Sequence, residues 1–170
     1  MLDLFCHLGG FGLAAAANGA SEVLCVDSSA ASLELVQKSA KKNRVSTKVK
    51  TQEADIFKWL DELPAEEMFD IIILDPPALA KNKGMLREAM RGYAHLNEKA
   101  LAHLNPGGLL ATFSCSSHVT GEMFYDMLVN VRGRTTRPLV MVEPLGQAPD
   151  HPILIGLRET QYLKGWIVVG

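Results

Sequence analysis

The sequence predicts an α/β domain: a mostly parallel seven-stranded sheet with an antiparallel edge pair and helices on both faces. Three observations carry that expectation. Short apolar segments alternate with segments of helical spacing through residue 133, the pattern of parallel strands joined by crossover helices. The run Ile71-Ile72-Ile73-Leu74 is continuously apolar, as suits a strand buried on both faces. The last two apolar segments, 138–144 and 162–170, have no helical pattern between them, which favours an antiparallel pair at one edge.

Each element follows from local chemistry. Residues 1–5 (MLDLF) form the first strand, and 6–12 (CHLGGFG) a glycine-rich turn. Residues 13–19 read as a helix stopped by Asn18-Gly19, a common C-terminal signal. The second strand, 21–27, ends on Asp27. Ser29 then caps a helix to about Asn43, with Ala30, Leu33, Val36, Gln37 and Ala40 at helical spacing. Residues 47–55 give a third strand and 56–63 a short helix. The fourth strand, 68–77, runs into Asp75-Pro76-Pro77. A long helix over about 84–103 stops at Asn105-Pro106-Gly107-Gly108. Residues 109–115 are the fifth strand and 121–133 another helix, before the two closing strands. With no internal repeat, low-complexity tract or linker, residues 1–170 read as one domain.

Composition narrows the class. At 48% hydrophobic and 21% charged, the chain suits a soluble domain with enough length to bury a real core. No apolar run approaches the roughly 20 residues needed to cross a bilayer, and no signal-peptide pattern opens the sequence, so no membrane partner is expected. Three cysteines without a paired C-x-x-C match neither a disulfide framework nor a metal site. No metal is expected, and the expected compartment is a reducing cytoplasm. The net charge of −2 does not mark the whole domain as nucleic-acid binding. An RNA or DNA substrate would need a local patch or another domain.

Ligands of such sheets bind beyond the carboxyl ends of the strands. Those ends carry Asp3 through Gly12, Asp27, Asp55, Asp75-Pro76-Pro77 and Cys115. Acids at four consecutive strand ends suit a cofactor with a ribose and an adenine: one carboxylate accepts the ribose hydroxyls, another the adenine amino group. The Gly9-Gly10-Phe11-Gly12 turn lets backbone approach a ligand. Singly, each feature is more often a tight turn or a helix cap; together they favour ligand binding. Gly10-x-Gly12-x-x-Ala15 with Asp27 also satisfies the loose dinucleotide fingerprint, so an NAD-dependent oxidoreductase competes. Its turn starts past the apparent strand end, however, and it gives Asp75-Pro76-Pro77 and Cys115 no necessary role. S-adenosyl-L-methionine, which has no pyrophosphate, fits the longer loop better.

The segments LDLFCHLGGFG, CVDSS, EADIFKWL, FDIIILDPPALAK, GGLLATFSCSSHV, GQAPDHPIL and ETQYLKG together resemble the bacterial large-subunit (23S) ribosomal RNA methyltransferase I family. The likeness covers nearly the whole chain in the family's order. D-P-P alone is common among methyltransferases; D-P-P-A with S-C-S and Q-A-x-D-H-P is far more specific. The resemblance implies a Rossmann-like class I methyltransferase fold, S-adenosyl-L-methionine as cofactor, and methylation of carbon 5 of cytosine in 23S rRNA. It implies that Asp3, Gly9 and Gly10 line the methionine end, that Asp27 takes the ribose and Asp55 the adenine, and that Asp75 and Cys115 face the base. Phe5, Ser28, Ile56 and Asp75, at the same strand ends, are expected to contact the cofactor as well.

The chemistry explains the residue types. Carbon 5 of cytosine is a poor nucleophile until a thiolate adds to carbon 6. Cys115 is the expected thiol, and its pKa, near 8.5 for free cysteine, must fall or its proton be passed on. Asp75 is placed to hydrogen-bond ring nitrogen 3 as a general acid. The base for the carbon 5 proton is open: the second cysteine that many RNA cytosine-5 enzymes carry after this motif is missing, since Pro77 is followed by Ala78 and Leu79. His118 and the Asp150-His151 pair are candidates, each more simply read as part of a helix start or a turn. Leu79 also departs from the aromatic that commonly follows D-P-P-A in the family. Pro76 and Pro77 would shape the base pocket. Lys83, Arg87 and Arg91, recurring every four residues, would give the following helix a basic face for phosphates or merely a solvated one.

Three alternatives stay beside this reading. Exocyclic-amine methylation usually places an aromatic after the second proline to stack on a flipped base, where this chain has Ala78. Uracil-5 methylation shares the cysteine mechanism. A non-catalytic cofactor-binding remnant has no need of Asp75 and Cys115. The family's N-terminal PUA-type RNA-binding domain has no counterpart in these residues, so the expectation is retained cofactor binding with weak RNA affinity and turnover. Oligomeric state is open, a homodimer included.

Overall fold

The computed structural model describes residues 1–135, 137–157 and 160–170. Its sheet has seven strands in the order β3-β2-β1-β4-β5-β7-β6. These are β1 (Leu2–Leu4), β2 (Val23–Asp27), β3 (Val49–Glu53), β4 (Phe69–Leu74), β5 (Leu104–Ser114), β6 (Val140–Leu145) and β7 (Lys164–Val169). The helices are α1 (Gly10–Ala17), α2 (Ala30–Lys42), α3 (Ile56–Glu62), α4 (Leu86–Ala102) and α5 (Gly121–Arg132). The first five strands are parallel, and β7 lies antiparallel between β5 and β6, as the missing crossover helix requires. No helix among the described residues is long and apolar enough to cross a membrane.

Strand alternation divides the core into two layers. Leu2, Leu4, Ile72, Leu74 and Leu110 face one layer with Leu60, Tyr93, Leu96 and Phe124 from α3, α4 and α5. Val23 and Cys25 face the other with Ala16, Leu33, Val36 and Ala40 from α1 and α2. Central β1 pairs with β2 and β4 and is buried throughout.

Three local expectations need correction. The glycine turn does not precede α1 but forms its first turn: Gly9 is the left-handed N-cap, at φ 74°, and Gly10 and Gly12 are helical. Asp3 is not at a strand end; it is the middle residue of β1, opposite Cys25 and Ile73. The long helix begins at Leu86, because Asn82 accepts the amide of Met85 at 3.2 Å and caps a separate 3-10 turn over Lys83–Met85. Lys83 therefore stands ahead of α4, while Arg87 and Arg91 lie on it; all three are exposed.

Candidate active site

Beyond the carboxyl ends of the parallel strands lies a cleft of about 590 Å³. Its walls include Phe5, Asp27, Ser28, Asp75, Pro76, Pro77 and Cys115, drawn from four strand ends, and Gln147, His151 and Tyr162 from the β6–β7 loop. That volume lies within the range of small-molecule sites.

One side of the cleft is built by an unusual loop. Phe5, His7 and Gly9 all have positive φ, at 60°, 48° and 74°. For the two non-glycine residues this backbone is sparsely populated and persists only where surroundings fix it. Asp27 does part of that: its two carboxylate oxygens accept the amides of His7 at 2.8 Å and Ser29 at 2.9 Å. Lone pairs remain on the same oxygens for a diol, since an ionised carboxylate accepts about four hydrogen bonds. A Cβ on Gly10 would meet nothing within 4 Å, because this residue is exposed at the start of α1; neither Gly9 nor Gly10 is among the cleft-lining residues. Gly12 serves a different end, because a Cβ there would stand 2.6 Å from Cys25 Sγ and 3.0 Å from Asp3 Oδ2. A carboxylate with free lone pairs beside Ser28 at the cleft wall fits a nucleoside-bearing cofactor.

Not every expected residue reaches the cleft wall. Asp3 is 1% exposed, and its carboxylate accepts the Gly12 amide at 2.9 Å, clipping the loop to the sheet. Burial, above all, pushes its pKa up to about 6, with Asp75 and Asp27 adding to the rise. Asp55 is exposed and caps α3 through the Phe57 amide at 3.1 Å, and Ile56 is buried in the core. His118 lies in the turn before α5, away from the lining, and Asp150 is exposed beside His151. Of the base candidates, His151 alone is among the cleft-lining residues.

The side formed by the ends of β4 and β5 is compact. Cys115 follows the last residue of β5, and its thiol donates to the Pro76 carbonyl at 3.7 Å. Burial pushes that thiol's pKa up, Asp75 pushes it further, and Lys164 pulls it back. Burial likewise raises the Asp75 carboxyl. The next residue, Ser116, is fully buried; its hydroxyl accepts the Ala80 amide at 3.1 Å and bonds Tyr93 Oη at 2.9 Å. The S-C-S turn and the D-P-P loop are thus tied together twice. Cys6 and Cys25 are both buried, and a hydrogen bond to Cys25 together with burial keeps the Cys6 thiol protonated. Leu79 packs toward Gly92 of α4, away from the cleft.

Several lining residues lay outside the sequence reading: His7, Gln147, Ala148, Tyr162 and Leu163. Gln147 organises the β6–β7 loop, donating to His151 O at 2.6 Å and Thr160 O at 2.7 Å while accepting the Tyr162 amide at 3.2 Å. His151 packs edge-on to Tyr162, with ring centroids 6.2 Å apart. Most of these residues fall in the Q-A-x-D-H-P and E-T-Q-Y-L-K-G segments, which were the available signal; Glu159, the first residue of the latter, lies outside the described residues.

Comparisons with known proteins bear on this site. A family model described as "Conserved hypothetical protein 95" matches residues 1–111. Proteins named ribosomal RNA large subunit methyltransferase I are 42% identical in Tolumonas auensis, over 99% of this chain, and 40% identical in Shewanella denitrificans, over 98%. The chain spans 43% of the length of each. The solved structure of SMU.776 complexed with SAH superposes with a TM-score of 0.85 at 23% identity, covering 99% of this chain and 44% of that one. That likeness carries the fold alone, a mostly parallel sheet with helices on both faces. The resemblance read from the motifs holds along nearly the whole sequence.

Proposed function

The chain belongs to the Conserved hypothetical protein 95 family, and from that premise we propose that it is an S-adenosyl-L-methionine-dependent methyltransferase of RNA, acting on carbon 5 of cytosine in 23S rRNA. Residues 1–170 are read as its catalytic domain. One observation carries the reading: Cys115 and Asp75 line a single cleft with Phe5, Asp27 and Ser28, so a thiol and an acid share one space with the carboxylate at the end of β2.

In this reading Asp27 and Ser28 hold the ribose, the amides around Asp55 and Ile56 meet the adenine edge, and the loop over 5–10 covers the methionine end. Bound there, the cofactor supplies an electrophilic methyl group. The Cys115 thiolate adds to carbon 6 of cytosine, which makes carbon 5 electron-rich. Asp75, whose carboxyl burial raises above the ordinary carboxylate range, is placed to hydrogen-bond ring nitrogen 3 as charge builds there. Once carbon 5 has taken up the methyl group, His151, facing the cleft, removes the carbon 5 proton, and the electron pair of that C–H bond re-forms the 5,6 double bond and expels the thiolate. The retained thiol supports carbon 5 chemistry over exocyclic-amine methylation, which needs no nucleophile.

RNA containing 5-fluorocytidine tests the mechanism, because fluorine at carbon 5 blocks the final elimination. With S-adenosyl-L-methionine present, the native chain should form a covalent RNA complex that survives denaturing electrophoresis, and Cys115→Ala should not. An adduct that persists in Cys115→Ala would remove Cys115 as nucleophile. Calorimetry should show S-adenosyl-L-methionine binding and no preference for NADH; the opposite order would favour a dehydrogenase.

A further inference from the structure

We infer that Lys164 is the positioning residue for Cys115: its ammonium clamps the turn that carries the thiol and lays a fixed positive charge beside the sulfur. This rests on the proposed role of Cys115 as nucleophile. Lys164 opens β7 directly opposite Ser114, the residue before Cys115. Its Nζ donates to the carbonyl of Ser116, the residue after Cys115, at 2.6 Å. A second bond, also 2.6 Å, goes to the carbonyl of Tyr162 in the cleft wall. The side chain therefore straddles the nucleophile and joins its turn to the β6–β7 loop. Gly165 permits the close approach, since a Cβ there would stand 2.5 Å from Phe113 Cδ1.

The electrostatics of the turn need such a group. Facing the cleft are Asp75 from the end of β4, Asp27 from β2, His7 from the β1–α1 loop, and His151 and Tyr162 from the β6–β7 loop, while Lys164 of β7 sits behind the Cys115 turn, bonded to Ser116 O. Asp75 opposes a thiolate at Cys115, and Lys164 is the charge that favours it. Burial presses the Lys164 ammonium down while the Cys115 charge raises it, so the two groups stabilise each other's ionised forms. Two of the three ammonium protons are held by carbonyls, which fixes the charge in place at low entropic cost when the thiol gives its proton to solvent.

Alkylation by iodoacetamide reads this without RNA or cofactor: the thiolate displaces iodide and forms a carbon–sulfur bond, quantified at Cys115 by peptide mass spectrometry across pH. The buried Cys6 and Cys25 serve as internal references. Lys164→Met should move the pH midpoint upward by about one unit, slowing alkylation at pH 7.5 about tenfold. Lys164→Arg, which keeps the charge, should stay within about threefold of the native rate, on the same electrostatic scale. Lys164→Gln keeps a donor for the carbonyl clamp but no charge; it should behave like Lys164→Met and is the second neutral variant if that one fails to fold. An unchanged midpoint in either folded neutral variant overturns the inference, as does an equal loss in Lys164→Arg. A shifted midpoint without any 5-fluorocytidine adduct in the native chain would instead leave Lys164 in place and refute the cytosine chemistry.

Discussion

At neutral pH the Asp3 carboxyl lies above its folded pKa of about 6 and is charged inside the sheet, with the Gly12 amide bonded to it. The folded state holds this proton more tightly than the unfolded chain, so its stabilising contribution is complete below about pH 4 and lost as pH rises through 6. Asp3→Asn keeps an oxygen for the Gly12 amide and removes the charge. It should stabilise the protein at pH 7.5 by up to about 3 kcal/mol and by nothing at about pH 3.5. Thermal melts at the two pH values check this, and an equal gain at both would exclude the charge as cause. Gly12→Ala should act in the opposite direction through sterics, losing about 1–3 kcal/mol in denaturant titrations, because its methyl would press on Cys25 and Asp3. Both residues stood out in the sequence, but as ligand contacts; that they lock each other became visible only when β1 and α1 were packed.

Between the elements, Ser116 is the joint on which the site depends. Its hydroxyl links the turn after β5 to Tyr93 of α4 and to the Ala80 amide beyond the D-P-P loop, and all three residues are buried. Ser116→Ala would strand the buried Ala80 amide and leave the Tyr93 hydroxyl with only the Leu79 amide at 3.5 Å, costing about 1–3 kcal/mol. Hydrogen exchange at Ala80 should quicken more than at central strand amides such as that of Ile72, and equal protection would mean that the hydroxyl does not hold the loop. Capping chemistry was legible: Ser29 accepts the Ser32 amide at 3.2 Å as its position before an apolar periodic run implies. The start of α4 was not, because Asn82 caps a 3-10 turn that helical spacing alone cannot distinguish from a first α-turn.

Across the whole molecule, the sheet order leaves the reactive groups at one end and an exposed basic row on the turn and helix that follow the D-P-P loop. If that row holds phosphates, Lys83→Ala, Arg87→Ala and Arg91→Ala combined should weaken RNA binding and flatten its salt dependence, each lost contact removing about 0.7 from the logarithmic slope. Filter binding across a salt series measures it; an unchanged slope would make the row a solvated face. The row reaches outward from exposed positions, so this test leaves the cleft chemistry intact.

The sequence by itself determined the succession of strands and helices, the antiparallel edge and the pairing of D-P-P with S-C-S, because hydrophobic periodicity, caps and motifs are written in neighbouring residues. Only the tertiary structure decided which chemical groups meet. Antiparallel pairing brought Lys164 across from Ser114, and the β6–β7 loop carried Gln147, His151 and Tyr162 to the cleft. Packing turned Asp3 inward and left His118 and Asp150 outside the cleft lining. Those outcomes depend on register and on contacts between distant segments, and local spacing holds no record of either.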